Sequence, residues 1–316
     1  MVKTAVVLLL ASLLRLVYQR LIRPPPPRIC GAPGGPPVTA PRVKLRDGRH
    51  LAYLETGVPR AAATHKIVFV HGFDSCRHDV LPASQDLLRR LGACVVSYDR
   101  PGYGESDPDP SQTERSSALD VQDLADQLGL GDRFHVVGFS RGGQVVWSCL
   151  AHIPHRLAGA ALVSPVANFW WCGFGGGGVS RRAYAAQLPQ DRWARWFPPS
   201  SLVARNRRVY SPPNLDVISN LAAAGPFEAL HRDMIVAFGE WDCSPLELGN
   251  PPPGEKEVAV HLWHGADDRV VTPIMSRHIA RQLPWIRYHE LPDAGHLFML
   301  ADGIADRIVK TLVLSD

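Results

Sequence analysis

Short runs rich in apolar residues punctuate the chain, each closing on polar or glycine-bearing residues: "KIVFVHG", "ACVVSYD", "FHVVGFS", "LAGAALVSP", "EVAVHLWHG" and "IRYHELPDAG". Such runs, bounded by turn residues, predict strands of a sheet buried on both faces. Between the first three lie "VLPASQDLLRRL" and "SALDVQDLADQLG", and "GGQVVWSCLAHI" follows the third. Their apolar residues recur at three- and four-residue intervals, which predicts amphipathic helices. Alternating strand and helix predicts an α/β fold, a mostly parallel central sheet with helices on both faces. Ahead of it, "RVKLRDGRHLAYLETG" reads as two extended pieces turning at Asp47–Gly48, a hairpin.

The alternation stops after Pro165 and resumes about 90 residues later. The interval 166–255 is rich in aromatic residues and glycines and reads as a cap inserted into the sheet domain, dividing it into 42–165 and 256–316. Residues 23–41, "RPPPPRICGAPGGPPVTAP", have the composition of a linker. Residues 1–22 hold the apolar run "TAVVLLLASLL", which Arg15 interrupts and Arg20 and Arg23 flank. A membrane anchor or interfacial helix, a cleaved targeting segment and a helix docked on the protein itself all fit that pattern. As an anchor, the excess of basic residues on its C-terminal side leaves the globular part facing the cytoplasm. As a cleaved segment, it would direct the protein to the secretory pathway or a plastid.

Composition narrows the function classes. At 316 residues and 46% hydrophobic, the chain can bury a full-size core. A net charge of +4 without any recognition motif gives no reason to expect a nucleic-acid partner. The arginines at 181, 182, 192, 195, 205, 207 and 208 form a basic cluster, read as a solvated face or, alternatively, as a membrane-facing or anion-attracting surface. The six cysteines show neither CxxC nor metal-site spacing and read mostly as free thiols.

Candidate chemistry gathers where strands end. In Gly138-Phe139-Ser140-Arg141-Gly142 the serine stands between an apolar strand and a helix, and the glycines leave room for a turn tight enough to lift its hydroxyl off the sheet. A serine needs a base and an acid behind it. His296 in "LPDAGHLFM" follows the last strand and is the candidate base; Asp267 and Asp268 follow the strand before it. Asp268 is the preferred acid, with the other aspartate capping the turn that follows. The backbone N–H groups of Arg141 and of Phe73, in "FVHGFDS", are the candidate oxyanion-hole donors. Phe169, Trp170, Trp171 and Phe174 of the cap are candidates for an apolar acyl pocket. Every role is filled by protein groups, so no cofactor and no metal is expected, and neither phosphate-loop nor dinucleotide spacing occurs.

Taken together, "HGF" at His71, "DRPGYGESD" at Asp99, "VVGFSRGG" at Val136, "HGADDRVV" at His264 and "AGH" at Ala294 resemble the α/β-hydrolase fold superfamily from about Arg42 to Val313. Within it the chain is similar to a plant group of membrane-associated esterases and lipases. The resemblance puts the family's acid on Asp268 and its base on His296, and makes "DRPGYG" a structural turn. The chain departs from that group in a shortened cap near Ala194 and in the charged Arg141 beside Ser140, which would narrow or polarise the pocket. The resulting expectation is a serine hydrolase of small apolar or aromatic esters, a lipase or thioesterase being variants of it. A small-molecule receptor of very slow or no turnover is the alternative on the same fold.

Overall fold

The computed structural model describes residues 2–17, 28–167, 178–186, 226–239, 241–249 and 257–314. The predicted hairpin is β1 (Arg42–Lys44) and β2 (His50–Gly57), antiparallel in the register Arg42 with Ala52, and Gly48 takes a left-handed φ of 92° at its turn. The apolar runs form β3 (His65–Val70), β4 (Ala93–Tyr98), β5 (Phe134–Phe139), β6 (Leu157–Val163), β7 (Ala259–Gly265) and β8 (Ile286–Leu291). All eight join one sheet in the order β1-β2-β4-β3-β5-β6-β7-β8. From β4 to β8 neighbouring strands are parallel, and β2 runs antiparallel to β4.

The two faces follow from the period of two along a strand. Val68, Val70, Val136, Leu162 and Leu262 point into a core closed by the helices α3 (Glu114–Gln127) and α4 (Arg141–His152). Ile67, Phe69, Val137, Val163 and Trp263 point the other way, against α2 (Gln85–Leu91) and the C-terminal helix Ile304–Val313. Each such buried side chain contributes about 2 kcal/mol of transfer free energy, so neither helical layer can be peeled away cheaply. Helix α2 is shorter than its apolar spacing predicts, because Pro82 precedes a stop at Ser84. That residue is the N-cap, its Oγ accepting from the Leu87 N–H.

Between β6 and β7 the inserted segment contributes α5 (Gly178–Ala186) and α6 (Pro226–Phe238) to the described residues; α7 (Pro273–Gln282) and α8 (Ile304–Val313) follow in the second part of the sheet domain. Phe169, Trp170, Trp171 and Phe174 lie outside the described residues. The proline-rich segment is docked over its second half. Thr39 N, Thr39 Oγ1 and Ala40 N all donate to the Glu105 carboxylate, and Cys30 is buried beside it. At the opposite side of that segment, α1 (Val2–Val17) exposes Val7, Leu8, Leu9 and Leu14. Among the described residues no helix is long and apolar enough to cross a membrane. The described cysteines, Cys30, Cys76, Cys94, Cys149 and Cys243, are free thiols.

Parallel strands end at a common edge, and here that edge carries Gly72 after β3, Ser140 after β5, Ser164 after β6, Asp268 after β7 and His296 after β8. Open α/β sheets bind their ligands in the crevice outside these carboxyl ends.

Candidate active site

Ser140 sits at φ 53° and ψ −112°, a backbone conformation that a non-glycine residue adopts only when its surroundings enforce it. The enforcement is visible. Its N–H donates to Val163 O, and its carbonyl accepts from Gly143 and Val166. The glycines around it have no room for side chains: a Cβ on Gly138 would fall on the Gly142 carbonyl, and one on Gly142 on the carbonyls of Val70 and His71. The turn thus packs directly against the end of β3, and a Cβ on Gly72 would lie 3.5 Å from that of Ser140. Phe73 therefore follows directly on a residue that packs against the serine.

The relay reaches across three strand ends. His296 Nε2 is 3.0 Å from Ser140 Oγ, and its Nδ1 is 2.7 Å from Asp268 Oδ2. A carboxylate only accepts, so Nδ1 carries the proton and Nε2 turns a lone pair to the serine hydroxyl. The Phe139 ring lies 5.0 Å from the imidazole, centroid to centroid, and supports it from the strand side.

Asp268 is more heavily bonded than the sequence suggests. Oδ2 also accepts from Ser164 Oγ at 2.9 Å and lies 3.2 Å from His264 Nε2; Oδ1 accepts the Val270 and Val271 N–H groups, each at 2.9 Å. Burial alone would raise this carboxyl, but the hydrogen bonds from His264 and His296 outweigh it and hold the group well below the usual carboxylate range. It stays ionised throughout the neutral range, with its direction fixed. Asp267, the neighbour read as the turn cap, is exposed instead, and Asp268 caps the turn itself.

Ser164 and His264 join the site although no sequence motif marks either as a candidate; Ser164 follows β6 and His264 lies near the end of β7. His264 has its own fixed tautomer: Nε2–H faces Val271 O at 2.8 Å, and Nδ1 accepts from Ser276 Oγ at 2.9 Å. His71 is equally fixed. Its Nε2 accepts the Arg100 N–H at 3.0 Å, so Nδ1–H donates to Gly72 O at 2.8 Å; burial and the neighbouring Arg100 keep the ring neutral, far below the ordinary histidine pKa.

Arg141, the charged residue beside the serine, is turned into the protein and is 1% exposed. Its Nε stands 3.2 Å from Asp233 Oδ1 and its Nη2 3.8 Å from Glu114 Oε1, yet no hydrogen bond forms among the described residues. The guanidinium is held by charge rather than by directed bonds. Far from the relay, at the C-terminal end of α4 and about 18 Å along its axis, His152, Asp242 and Cys243 have potential metal-ligand atoms within 4.8 Å of one another. The relay itself contains no grouping of that kind.

A hydroxyl, an imidazole and an anchored carboxylate thus stand within hydrogen-bond reach of one another above the carboxyl edge of a mostly parallel sheet. The sequence matches the alpha/beta hydrolase family over residues 67–307, and the chain belongs to that family. A Mycobacterium tuberculosis protein named as a non-heme bromoperoxidase is 23% identical over 252 residues, covering 73% of this chain and 86% of its own. The fold is similar to that of a thermophilic esterase from Thermogutta terrifontis, with a TM-score of 0.58 at 22% identity over 86% of this chain and 97% of that one. It is also similar to the enol-lactonase from Burkholderia xenovorans, with a TM-score of 0.58 at 22% identity over 85% and 98% of the two chains.

Proposed function

We propose that this chain is a carboxylic-ester hydrolase that works through an acyl-enzyme. The carrying observation is the unbroken line from Ser140 Oγ through His296 to Asp268 Oδ2, at 3.0 and 2.7 Å. Ser140 Oγ attacks the ester carbonyl carbon as His296 Nε2 takes its proton, and Asp268 stabilises the imidazolium that results. The carbonyl oxygen, now negative, is received by the N–H groups of Phe73 and Arg141. Arg141 opens α4, so the positive end of that helix adds to the stabilisation. His296 then returns the proton to the departing alkoxide. Water, deprotonated by the same nitrogen, attacks the acyl carbon; as the bond to Ser140 Oγ breaks, His296 returns that proton to Oγ, and the carboxylic acid leaves.

The substrate class proposed is a small ester with an apolar or aromatic acyl group, for which Phe169, Trp170, Trp171 and Phe174 are the sequence's argument. The test is covalent labelling of Ser140 by a fluorophosphonate, located by mass spectrometry, together with turnover of p-nitrophenyl esters of graded acyl length. Labelling with repeated product release supports the hydrolase. Labelling with no more than one slow turnover across the series replaces it with the receptor.

A further inference from the structure

Behind the oxyanion-hole segment lies a buried charge cluster that the chemistry above does not use. Asp233, on α6, receives Arg100 through both carboxylate oxygens, Nη1 to Oδ1 at 2.5 Å and Nη2 to Oδ2 at 2.6 Å, and Tyr103 Oη donates to Oδ2 at 2.5 Å. Arg100 reaches onward with the rest of its fork: Nε donates to His71 O at 3.1 Å and Nη2 to Gly72 O at 2.8 Å. Arg100 and Asp233 are both 1% exposed. Two buried charges taken from water cost several kcal/mol apiece and offer little net stability, so their presence asks for another reason.

We propose that Arg100 and Asp233 are positioning residues that orient the Gly72–Phe73 peptide, and with it the oxyanion donor at Phe73. This inference rests on the hydrolase reading, in which the Phe73 N–H receives the oxyanion. The Gly72 carbonyl and the Phe73 N–H belong to one planar unit and, in a trans peptide, point in opposite directions. Arg100 Nη2 and His71 Nδ1 both hold that carbonyl on the buried side, each at 2.8 Å. The N–H is thereby aimed away from them, without freedom to flip.

The same carboxylate also stands 3.2 Å from Nε of Arg141, whose own N–H is the other donor, so one anion faces both the arginine that holds the Gly72 carbonyl and the arginine of the second donor segment. Burial would raise Asp233, but Arg100 and Arg141 beside it bring the group below its ordinary value and keep it charged. Phe73 packs with Tyr103, Ala229 and Leu230, the last two on the same helix as Asp233. The carboxylate that holds Arg100 and two of the side chains packed with Phe73 thus stand on one helix of the inserted segment.

The experiment compares the full-length protein with Asp233→Asn, Arg100→Lys and the double variant. Lysine keeps a cation for Asp233 but cannot span the carboxylate and both carbonyls. Three readouts are taken: thermal unfolding, kcat and KM on p-nitrophenyl acetate, and inhibition by an alkyl trifluoromethyl ketone, which forms the oxyanion on Ser140. Each single variant is expected to lose about a hundredfold in kcat with KM within about threefold, and to bind the ketone more weakly by the same factor as kcat/KM falls. The double variant should fall no further than the worse single one. Should Asp233→Asn fail to fold, Arg100→Lys carries the comparison. A folded variant with kcat within threefold of the parent, or one whose loss lies in KM alone, overturns the inference while leaving the hydrolase intact. A parent protein without turnover or Ser140 labelling overturns the hydrolase reading instead.

Discussion

Asp267 and Asp268 are neighbours in the chain with opposite surroundings: Asp268 is buried and takes five donors on its two oxygens, while Asp267 is exposed and joins the fold through its backbone N–H to Ala294 O. Their substitutions should therefore separate. Asp268→Asn places an amide where Nδ1–H of His296 needs an acceptor, and ester turnover should fall on the order of 10³- to 10⁴-fold. Asp267→Asn should stay within a few-fold of the parent. Ser140→Ala should lose roughly 10⁶-fold in kcat. Steady-state kinetics on one p-nitrophenyl ester rank all three, and equal losses at the two aspartates would remove Asp268 from the relay.

Glycines of two sequence motifs should respond differently to alanine. At Gly142 the added methyl would meet the Val70 and His71 carbonyls, backbone that cannot move without distorting β3. At Gly295, beside the histidine, nothing lies within 4 Å. Gly142→Ala should cost about 3 kcal/mol or more, above ordinary overpacking because the obstacle is main chain, and Gly295→Ala under about 1 kcal/mol. Urea unfolding followed by circular dichroism checks both.

Glu114 gives the fold a pH dependence. Burial pushes its carboxyl from 4.5 up to about 7, and the Arg141 cation and the Gln144 amide only partly offset this. A raised folded-state value means that the native protein binds the proton more tightly than the unfolded chain. The stabilisation is complete below about pH 4.5 and is lost as pH rises through 7, an amount of about 3 kcal/mol at 1.4 kcal/mol per unit. Asp120, raised to about 6, slopes in the same direction. Glu114→Gln, with denaturant unfolding at pH 5 and pH 8, isolates the first group: its stability should fall less across that interval than the parent's.

Residues 1–22 are predicted to hold the protein at a membrane surface, with the hydrolase domain on the cytoplasmic side. The apolar run Thr4 to Leu14 is short against the roughly 20 residues of a full span, and Arg15 closes it. A helix lying in the interface, apolar residues inward, fits that run as well as a span does. Fractionation of the full-length form and of a form starting at residue 23 should find only the first with membranes, and protease added to intact vesicles should digest the domain. Equal partitioning of the two forms would remove the tether, and a protected domain would place it in the lumen.

Local signals carried most of what the sequence made legible. Ser140, Asp268 and His296 each stand just past an apolar strand, and parallel pairing alone then brings their segments to one edge. Ser164 and His264 also end strands, yet as a serine before proline and a histidine among apolar residues they look like packing residues until the Asp268 oxygens are located. The Arg100–Asp233 pair joins positions 133 residues apart across the inserted segment, and no periodicity reports such a contact. "VLPASQDLLRRL" holds a helix only over Gln85–Leu91: Leu81 and Ala83 are buried by a turn at Pro82, where Ala83 N–H donates to Leu81 O, giving apolar spacing ahead of the helix.

The grip of Glu105 on Thr39 and Ala40 also sets a leash length. With Cys30 already seated on the domain, only residues 18–29 separate α1 from a fixed point, and 13 peptide steps of about 3.5 Å reach at most about 45 Å. A domain of this size is itself about 48 Å across. If α1 lies in a bilayer surface, the domain can roll there but cannot leave it, and a hydrolase so held would meet only what the layer of water next to the lipid contains.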